Sequence, residues 1–287
     1  MKGVILAAGE GSRIRKVTYG AFPKELLPIG NVPTIRFPLE ALRLASIKNV
    51  LVVIAPQTKH GIIDGLQSGS RFGMNICYAI QEKGKKLPVG VGAAVLAARE
   101  WTGKEDFIVA LGDSIICDVS SGNPLSCLTP LIDTHMKNDS IATVLVYPTR
   151  SDPRRFGVAK FKGFREVNGT MFGELEHMVE KPDSGMVKSF KANGYYYILA
   201  GYYAFEPLIF SYIEKTKPGA RNEIQITDAM ELAIEDGKRV SAVVHAACKN
   251  GKLFPREYWD VGIPRAYKEA NRRLSNKNVD KWLKSEG

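Results

Sequence analysis

A short glycine-rich segment follows an apolar run at the start of the chain. Residues 3–8 read GVILAA, and residues 9–13 read GEGSR. The apolar run predicts a buried strand, and glycine lets the backbone adopt positive φ and point successive N–H groups into one concavity. Such a concavity suits a phosphate because each N–H carries a partial positive charge, and Arg13 adds a full charge. The segment therefore predicts an anion-binding loop at the end of a strand.

Two common phosphate-binding loops do not fit this segment. A dinucleotide-binding loop needs a third glycine where the chain has Ile14, and an acidic residue ending the second strand, where NVLVVIAPQTKH offers none. A P-loop needs Lys and then Ser or Thr after its last glycine, whereas Gly11 is followed by Ser12 and Arg13. Taken alone, the glycines fit a surface turn between strand and helix equally well.

Two aspartates also follow segments that read as strands. Asp113 comes directly after the buried run FIVALG, and Asp260 follows an aromatic pair in EYWDVG. In an open α/β sheet the carboxyl ends of parallel strands share the edge where ligands bind, so Asp113 is expected at the same edge as the glycine-rich loop. The alternatives are an ordinary turn or helix cap for Asp113 and a buried structural role for Asp260.

The elements expected to position these residues alternate through the first half of the chain. The predicted strands are GVILAA, NVLVVI, NICYAI and FIVALGD, and the predicted helices lie in PTIRFPLEALRLAS, KHGIIDGLQ and GVGAAVLAAREW. The strands are continuous apolar runs, which is typical of parallel strands covered on both faces. Strand and helix in alternation predict an α/β, doubly wound sheet.

The second half has a different pattern. From about SIATVLVYPT onward, shorter strands with Gly and Asn between them, such as GVAKF, ELEHMVEKP and YYYILAGYYAF, are mixed with helices. In ITDAMELAIEDG, Asp228 is predicted to cap a helix, with Glu231 completing a capping box and Gly237 just past the helix end. A basic helix is predicted from Pro264 to the end of the chain.

Composition narrows the class of protein. The chain has 287 residues, of which 45% are hydrophobic and 24% charged, as expected of a globular protein. A net charge of +10 raises nucleic-acid binding as an alternative, but the basic residues are spread out and no recognition-helix or zinc-finger pattern is present. The four cysteines lie far apart, and no segment reads as a membrane span, so we expect a cytoplasmic protein that acts without a membrane.

Several motifs in a fixed order carry a resemblance to a known family. They are GEGSR followed by PKELLPI, Gln81 with the GVGAA segment, Gly112-Asp113, Phe156-Gly157, the Glu-Lys-Pro at 180–182, NEIQITDA at 222–229 and WDVG at 259–262. In this order they resemble the sugar-1-phosphate nucleotidyltransferases, and most closely the glucose-1-phosphate thymidylyl- and uridylyltransferase branches. The resemblance covers nearly the whole chain.

The resemblance implies roles for particular residues. Arg13 and Lys24 would act on the triphosphate as catalytic residues, and Asp113 and Asp260 would hold Mg²⁺. The implied nucleotide-binding residues are Leu6, Ala8, Gly9, Gly11, Ser12, Arg13, Gln81 and Gly90. The implied residues around the sugar phosphate are Gly157, Glu180, Lys181 and Gly201.

The resemblance also implies an architecture and a reaction. It predicts a single domain over residues 1–287, with a Rossmann-like doubly wound mixed sheet, an inserted β-rich sugar-binding half and no C-terminal β-helix domain. Residues 1–120 would form the nucleotide-binding half, 140–262 the sugar-binding half with the second metal carboxylate, and 264–287 the C-terminal helix. The protein would transfer a nucleotidyl group from dTTP or UTP to glucose-1-phosphate or a related sugar-1-phosphate, and a homo-oligomer is expected.

Other functions of the same fold stay open on the sequence. A guanylyl- or adenylyltransferase would share these motifs, and a non-catalytic regulatory subunit would share the fold. Such a subunit would be expected to lack one of Arg13, Lys24, Asp113 or Asp260, and all four are present. The run IRKVTYGAF before Pro23 is longer than usual in the resembled family and lacks its early proline, so the pose of the triphosphate loop is not fixed by the resemblance.

Overall fold

The computed structural model has a mixed α/β fold, and it describes residues 1–56, 59–82, 88–219, 222–249, 251–277 and 279–283. Within these ranges the strands are β1 Lys2–Ala7, β2 Pro28–Ile29, β3 Val32–Pro33, β4 Asn49–Ile54, β5 Asn75–Ile80, β6 Phe107–Leu111, β7 Ser114–Cys117, β8 Ala142–Thr149, β9 Gly157–Phe161, β10 Arg165–Val167, β11 Thr170–Glu180, β12 Tyr196–Phe205, β13 Val240–Val244, β14 Ala246–Lys249, β15 Lys252–Pro255 and β16 Glu257–Asp260.

The helices are α1 Arg15–Thr18, α2 Arg36–Leu44, α3 His60–Leu66, α4 Val91–Leu96, α5 Arg99–Thr102, α6 Thr129–Asn138, α7 Ile209–Lys215, α8 Ile226–Glu235 and α9 Pro264–Leu274. Short 3₁₀ turns span Ser12–Ile14, Lys24–Leu26, Ser70–Phe72, Val187–Phe190, Ser275–Lys277 and Val279–Trp282. None of the helices in the described ranges is long and apolar enough to cross a bilayer.

The chain divides into two compact units. Unit 1 comprises residues 1–87, 109–128 and 257–287, and unit 2 comprises residues 88–108 and 129–256. These bounds differ from the two halves expected from the sequence. Residues 88–108 belong to unit 2, and Asp260, expected in the sugar-binding half, belongs to unit 1. The reason is strand pairing, since β16 pairs antiparallel with β7 of unit 1.

Parallel strands form the sheet of unit 1. β1 pairs in parallel with β4, and β4 pairs in parallel with β5, which confirms the prediction for these strands. β1 and β4 are almost wholly buried. β5 is the last strand in the sheet order, and its Cys77 and Ile80 are exposed, so the prediction that this strand is covered on both faces is wrong.

A hydrophobic cluster in unit 1 holds the segments that carry the motifs. It joins Ile14 beside the glycine-rich loop, Leu27 in PKELLPI, and Trp259 and Val261 on either side of Asp260. The prediction of a single helix over 264–287 is wrong, because α9 ends at Leu274 and 3₁₀ turns follow it. Residues of α9 and of the segment after it, including Val279 and Leu283, complete the cluster. Burying a side chain of this size stabilises the fold by about 1.5–3 kcal/mol. The cluster thereby holds in place the glycine-rich loop, the PKELLPI segment and the segment around Asp260.

Unit 2 is built on a mixed sheet. β8 pairs antiparallel with β12 and in parallel with β13, while β11 pairs antiparallel with β13, β9 and β10. The register of β12 against β8 shifts between Leu199 and Tyr203, and Gly201 within this bulge has φ +80°. Glycine suits this position because a side chain in the left-handed region is strained.

Helix α8 starts differently from the prediction. Its N-cap is Gln225, and Asp228 lies inside the first turn, so the prediction that Asp228 caps the helix is wrong. Glu231 does not complete a capping box either, because its Oε2 accepts the Met178 N–H at 2.6 Å. Gly237 follows the helix end with φ +76°, as predicted. The tertiary contact to β11 outweighs the local capping signal.

Candidate active site

The glycine-rich loop lies over the side chain of Lys24. A Cβ placed on Gly9 would lie 3.3 Å from Lys24 Nζ, and one on Gly11 would lie 3.5 Å from Lys24 Cδ. Gly11 also has φ +67°, in the left-handed region that favours glycine. The absence of side chains at these positions lets the loop backbone approach the lysine closely. The loop and PKELLPI, which the sequence joined only by resemblance, are thus in direct contact.

Two ion pairs link these loops to the aspartates. Lys24 Nζ donates a hydrogen bond to Asp113 Oδ2, and this pair is largely buried, with side-chain exposures of 13% and 8%. Arg13 Nη2 lies 3.3 Å from Asp260 Oδ2, and the Arg13 side chain is 55% exposed. The structure therefore brings together all four residues to which the resemblance gave catalytic or metal-binding roles. The exposed guanidinium is open to an anionic ligand.

Strand pairing explains why the two aspartates meet. Asp260 pairs with Ser114 across β16 and β7, and the Val261 N–H donates to the Asp113 carbonyl at 2.9 Å. Gly262 lies between the carboxylates, since a Cβ there would be 2.8 Å from Asp113 Oδ2 and 2.9 Å from Asp260 Oδ1. Its N–H donates to Asp260 Oδ1 at 3.0 Å. Only a glycine leaves this space between the two carboxylates open.

The charges in this cluster shift one another's pKa. Burial favours the neutral form of Asp113, but the charge and hydrogen bond of Lys24, together with Arg13, hold the pKa of Asp113 below its ordinary value. Burial, and then the Asp113 charge, raise the pKa of Asp260. Burial alone would lower the pKa of Lys24, yet the neighbouring carboxylates, Asp113 foremost, bring it above its ordinary value. A further cation at the carboxylates would relieve the repulsion between them.

The carboxylate pair suits Mg²⁺. This ion prefers oxygen ligands, keeps several waters and is usually bound through one or two carboxylates together with substrate phosphates. In the part of the chain that the structure describes, no three His, Cys, Asp or Glu side chains gather into a metal-binding group. Asp113 and Asp260, with the space at Gly262 between them, fit an ion that takes its other ligands from water and substrate.

A third ion pair in unit 1 was not predicted from the sequence. Lys59 Nζ lies 2.6 Å from Glu25 Oε2, and the two side chains are 3% and 1% exposed. Glu25 directly follows Lys24, and a Cβ on Gly112 would lie 3.1 Å from Glu25 Cγ. The available signals in the sequence were Glu25, ahead of two leucines in PKELLPI, and Lys59, five positions after the strand NVLVVI. Neither signal tells which partner the charge would find.

The remaining predicted nucleotide-binding residues in unit 1 fall into two groups. Leu6 and Ala8 are buried, and the Leu6 carbonyl accepts the Gly112 N–H at 2.9 Å. Ser12 is exposed at the start of its 3₁₀ turn. Gln81 is 7% exposed, and its buried amide nitrogen finds no hydrogen-bond partner among the described residues. An unpaired buried amide is costly, which makes Gln81 a candidate for binding a ligand.

Gly90 belongs to unit 2, just before α4. Its φ is +109°, and a Cβ there would lie 2.5 Å from the Ile224 carbonyl oxygen. The Ile224 carbonyl also accepts the Gly92 N–H at 2.9 Å. Gly90 is therefore required for the close approach of the backbone at Ile224. That packing role is sufficient to explain the glycine.

Three of the four residues predicted around the sugar phosphate, namely Gly157, Glu180 and Lys181, meet in unit 2. Gly157 pairs with Glu180 across β9 and β11, and a Cβ on Gly157 would lie 2.9 Å from Glu180 Oε2. Thr227 Oγ1 donates to the same oxygen at 3.0 Å. Thr227, which lies inside the NEIQITDA motif, thus orients the Glu180 carboxylate. Gly201 is placed by the bulge of β12.

Lys181 has an unusual backbone conformation. Its φ is +50°, in the left-handed region, which costs a residue with a side chain about 1–2 kcal/mol. The turn brings Lys181 Nζ to 3.2 Å from Glu180 Oε1, although adjacent residues of a regular strand point to opposite sides. The Lys181 N–H donates to the Phe156 carbonyl at 3.1 Å, which holds the turn. The motif therefore presents an ammonium and a carboxylate together.

Comparisons with known proteins show which family the chain resembles. The model of a family described as nucleotidyl transferase matches residues 2–277. The low-salt glycan biosynthesis nucleotidyltransferase Agl11 of Haloferax volcanii is 30% identical over 288 residues, which cover 100% of this chain and 69% of the relative. A glucose-1-phosphate thymidylyltransferase of Neisseria meningitidis is 32% identical over 238 residues, covering 83% and 72%. A solved structure of UDP-glucose pyrophosphorylase with UDP-glucose superposes with a TM-score of 0.76 at 26% identity, covering 96% and 99%.

Proposed function

The chain belongs to the nucleotidyl transferase family, and from this premise we propose that it transfers a nucleotidyl group from dTTP or UTP to glucose-1-phosphate or a related sugar-1-phosphate. The products are an NDP-sugar and pyrophosphate. One observation carries the proposal, namely the cluster in which Lys24 and Arg13 are paired with Asp113 and Asp260. The names of two relatives support the choice of substrates, since one is a glucose-1-phosphate thymidylyltransferase and the other is a UDP-glucose pyrophosphorylase in complex with UDP-glucose.

The reaction needs no general base and no covalent enzyme intermediate. An oxygen of the sugar phosphate, already an anion, bonds to the α-phosphorus of the triphosphate, and the bond from that phosphorus to the bridging oxygen breaks. Pyrophosphate leaves with the electron pair. The protein's task is to align two polyanions and offset their repulsion, as in other phosphoryl-type transfers. Lys24 and Arg13 supply positive charge at the triphosphate.

In this proposal Asp113 and Asp260 hold Mg²⁺. When bound, the ion neutralises phosphate charge and helps to orient the triphosphate. The carboxylates themselves contribute a fixed pair of oxygen ligands on rigid strands, because Asp260 ends β16 and pairs with the start of β7. Lys24 keeps Asp113 in its ionised form, which is the form that binds a cation.

On the nucleotide side we propose that Gln81 recognises the base. Its amide offers one donor and one acceptor, which match the N3–H and a neighbouring carbonyl of uracil or thymine. The buried amide nitrogen without a partner in the described residues supports this role. An amide also pairs with adenine, so its chemistry alone does not select the base. The proposal of a pyrimidine rests on the similarity to a glucose-1-phosphate thymidylyltransferase.

A screen for pyrophosphate release tests both the reaction and the base. Initial rates are measured with dTTP, UTP, CTP, ATP and GTP at equal subsaturating concentration, with Mg²⁺ and a set of sugar-1-phosphates. We expect release with glucose-1-phosphate, fastest with dTTP or UTP. A clear preference for ATP or GTP would contradict the pyrimidine assignment, and no release from any pair would contradict the reaction.

On the sugar side, Lys181 is proposed to bind the sugar phosphate and Glu180 the sugar hydroxyls. Lys181→Met is expected to raise KM for glucose-1-phosphate by about 10- to 100-fold, the scale of losing one charge-assisted hydrogen bond, with a much smaller change in KM for the nucleotide. Lys188→Met, which removes an exposed lysine elsewhere in unit 2, is the matched control. Steady-state kinetics with each substrate varied in turn give the KM for glucose-1-phosphate and the KM for the nucleotide separately. A defect confined to the nucleotide would refute this division of roles.

A further inference from the structure

The buried pair of Glu25 and Lys59 has no part in the proposed reaction. The pair lies in unit 1, where Lys59 Nζ is 2.6 Å from Glu25 Oε2 and both side chains have almost no exposure to solvent. Moving two charges out of water is costly, and their attraction seldom repays the cost fully. A pair kept in the interior beside the candidate active site therefore needs an explanation other than stability.

The charge of Glu25 acts on the neighbouring Lys24. The two residues are neighbours in the 3₁₀ turn Lys24–Leu26. Burial lowers the pKa of Lys24, but Asp113 and then Glu25 raise it, so both carboxylates act on this ammonium. Among the described residues, its hydrogen-bond partner is Asp113. Lys24 thus has a second anion within electrostatic reach that it does not bind.

The surrounding packing keeps Glu25 in place. Its carbonyl accepts the Ile35 N–H at 2.8 Å, and Gly112 approaches its Cγ. The Glu25 Oε1 atom is buried and has no hydrogen-bond partner in the described part of the chain, so Lys59 satisfies the carboxylate through Oε2. A carboxylate held in this way cannot be hydrated by turning out to water, so its charge is offset by Lys59.

We propose that Lys59 is a positioning residue, which neutralises Glu25 and so leaves Lys24 bonded to Asp113 beneath the glycine-rich loop. The inference rests on the proposed function, in which Lys24 acts on the triphosphate. Without Lys59, the Glu25 carboxylate draws the Lys24 ammonium away from Asp113. The loss of nucleotide affinity on removing Lys59 therefore depends on the charge at position 25.

The test compares Lys59→Met with the double variant Glu25→Gln/Lys59→Met. Binding of UTP and dTTP with Mg²⁺ is measured by titration calorimetry, and kcat and both KM values by pyrophosphate release. We expect Lys59→Met to weaken nucleotide binding by about 10- to 100-fold, the scale of losing a charged hydrogen bond, with KM for glucose-1-phosphate little changed. The double variant, in which position 25 no longer competes for Lys24, is expected to regain most of this affinity.

Another ion pair of the same unit, in which the carboxylate is buried, provides the control. Glu40 on α2 accepts two hydrogen bonds from Arg43, at 2.8 and 2.6 Å, and is itself buried. Arg43→Met and Glu40→Gln/Arg43→Met are expected to lower the denaturation midpoint and to leave nucleotide affinity unchanged. Midpoints of all variants are measured so that loss of affinity is not confused with loss of fold.

The outcomes separate this inference from the proposed function. Wild-type affinity in folded Lys59→Met, or a double variant as weak as the single one, would overturn the positioning role and leave the proposed reaction standing. A wild-type protein that neither binds nor turns over any triphosphate would overturn both. If Lys59→Met does not fold, Lys59→Gln replaces it, because the amide still donates to Glu25 without carrying charge, and the same order of affinities is expected.

Discussion

Asp113→Asn is expected to lower the rate of pyrophosphate release by at least ~100-fold in the presence of Mg²⁺, the scale for losing one preorganised electrostatic element. The substitution keeps the shape of the side chain and removes the charge. It therefore removes one of the two proposed metal carboxylates and also the anion that holds Lys24. Steady-state turnover at saturating substrates, measured over a range of Mg²⁺ concentrations, gives the result.

The same variant is expected to fold. Asp113 and Asp260 are largely buried carboxylates that repel each other, and this repulsion is part of what raises the pKa of Asp260. Neutralising Asp113 removes the repulsion, which offsets part of the lost hydrogen bond with Lys24. Asp64→Asn, at an exposed position of α3, is the control and should keep wild-type turnover. Near wild-type rates in folded Asp113→Asn would rule out the metal assignment.

Lys24→Met is expected to have a comparable effect on turnover for a different reason. It removes the ammonium under the glycine-rich loop, which is proposed to offset charge on the triphosphate, and a loss of ~100- to 1,000-fold in kcat/KM for the nucleotide is expected. It also leaves Asp113 buried without its partner, which costs about 3–5 kcal/mol when a buried ion pair is broken on one side. The variant should therefore be both slow and less stable.

The control separates the two consequences. Lys48→Met removes an exposed lysine of unit 1, just before β4, and is expected to leave turnover and stability unchanged. A double variant, Lys24→Met/Asp113→Asn, should regain stability relative to Lys24→Met, since no unpaired charge stays buried, and should stay inactive. If Lys24→Met loses stability and keeps its affinity for the triphosphate, its role is structural only.

Several parts of this protein followed from the sequence alone. The strands β1, β4, β5 and β6 lie where continuous apolar runs and glycines predicted them, and α9 begins at Pro264 as predicted but ends at Leu274. The position of Asp113 after β6 and of Asp260 at the end of β16 followed in the same way. These features are local, because the apolar run and the residues that interrupt it stand next to each other in the chain.

The tertiary structure alone decided which charges meet. Lys24 and Asp113 are 89 positions apart, and Glu25 and Lys59 are 34 positions apart, so no local pattern relates them. The sequence showed the four charges, and packing of the PKELLPI turn against Gly112 and the glycine-rich loop chose their partners.

Long-range contacts also overruled local signals elsewhere. Asp228 followed by Glu231 has the spacing of a capping box, but Glu231 binds the backbone of β11 and the helix begins earlier, with Gln225 as its cap. Lys181 takes a left-handed conformation that no feature of Glu-Lys-Pro by itself requires. Local propensity is worth a few tenths to about 1 kcal/mol per residue, and a buried hydrogen bond or strand pairing made across the fold exceeds it. The sequence therefore determined the elements and the residue types at the site, and the tertiary structure determined the pairs through which those residues act.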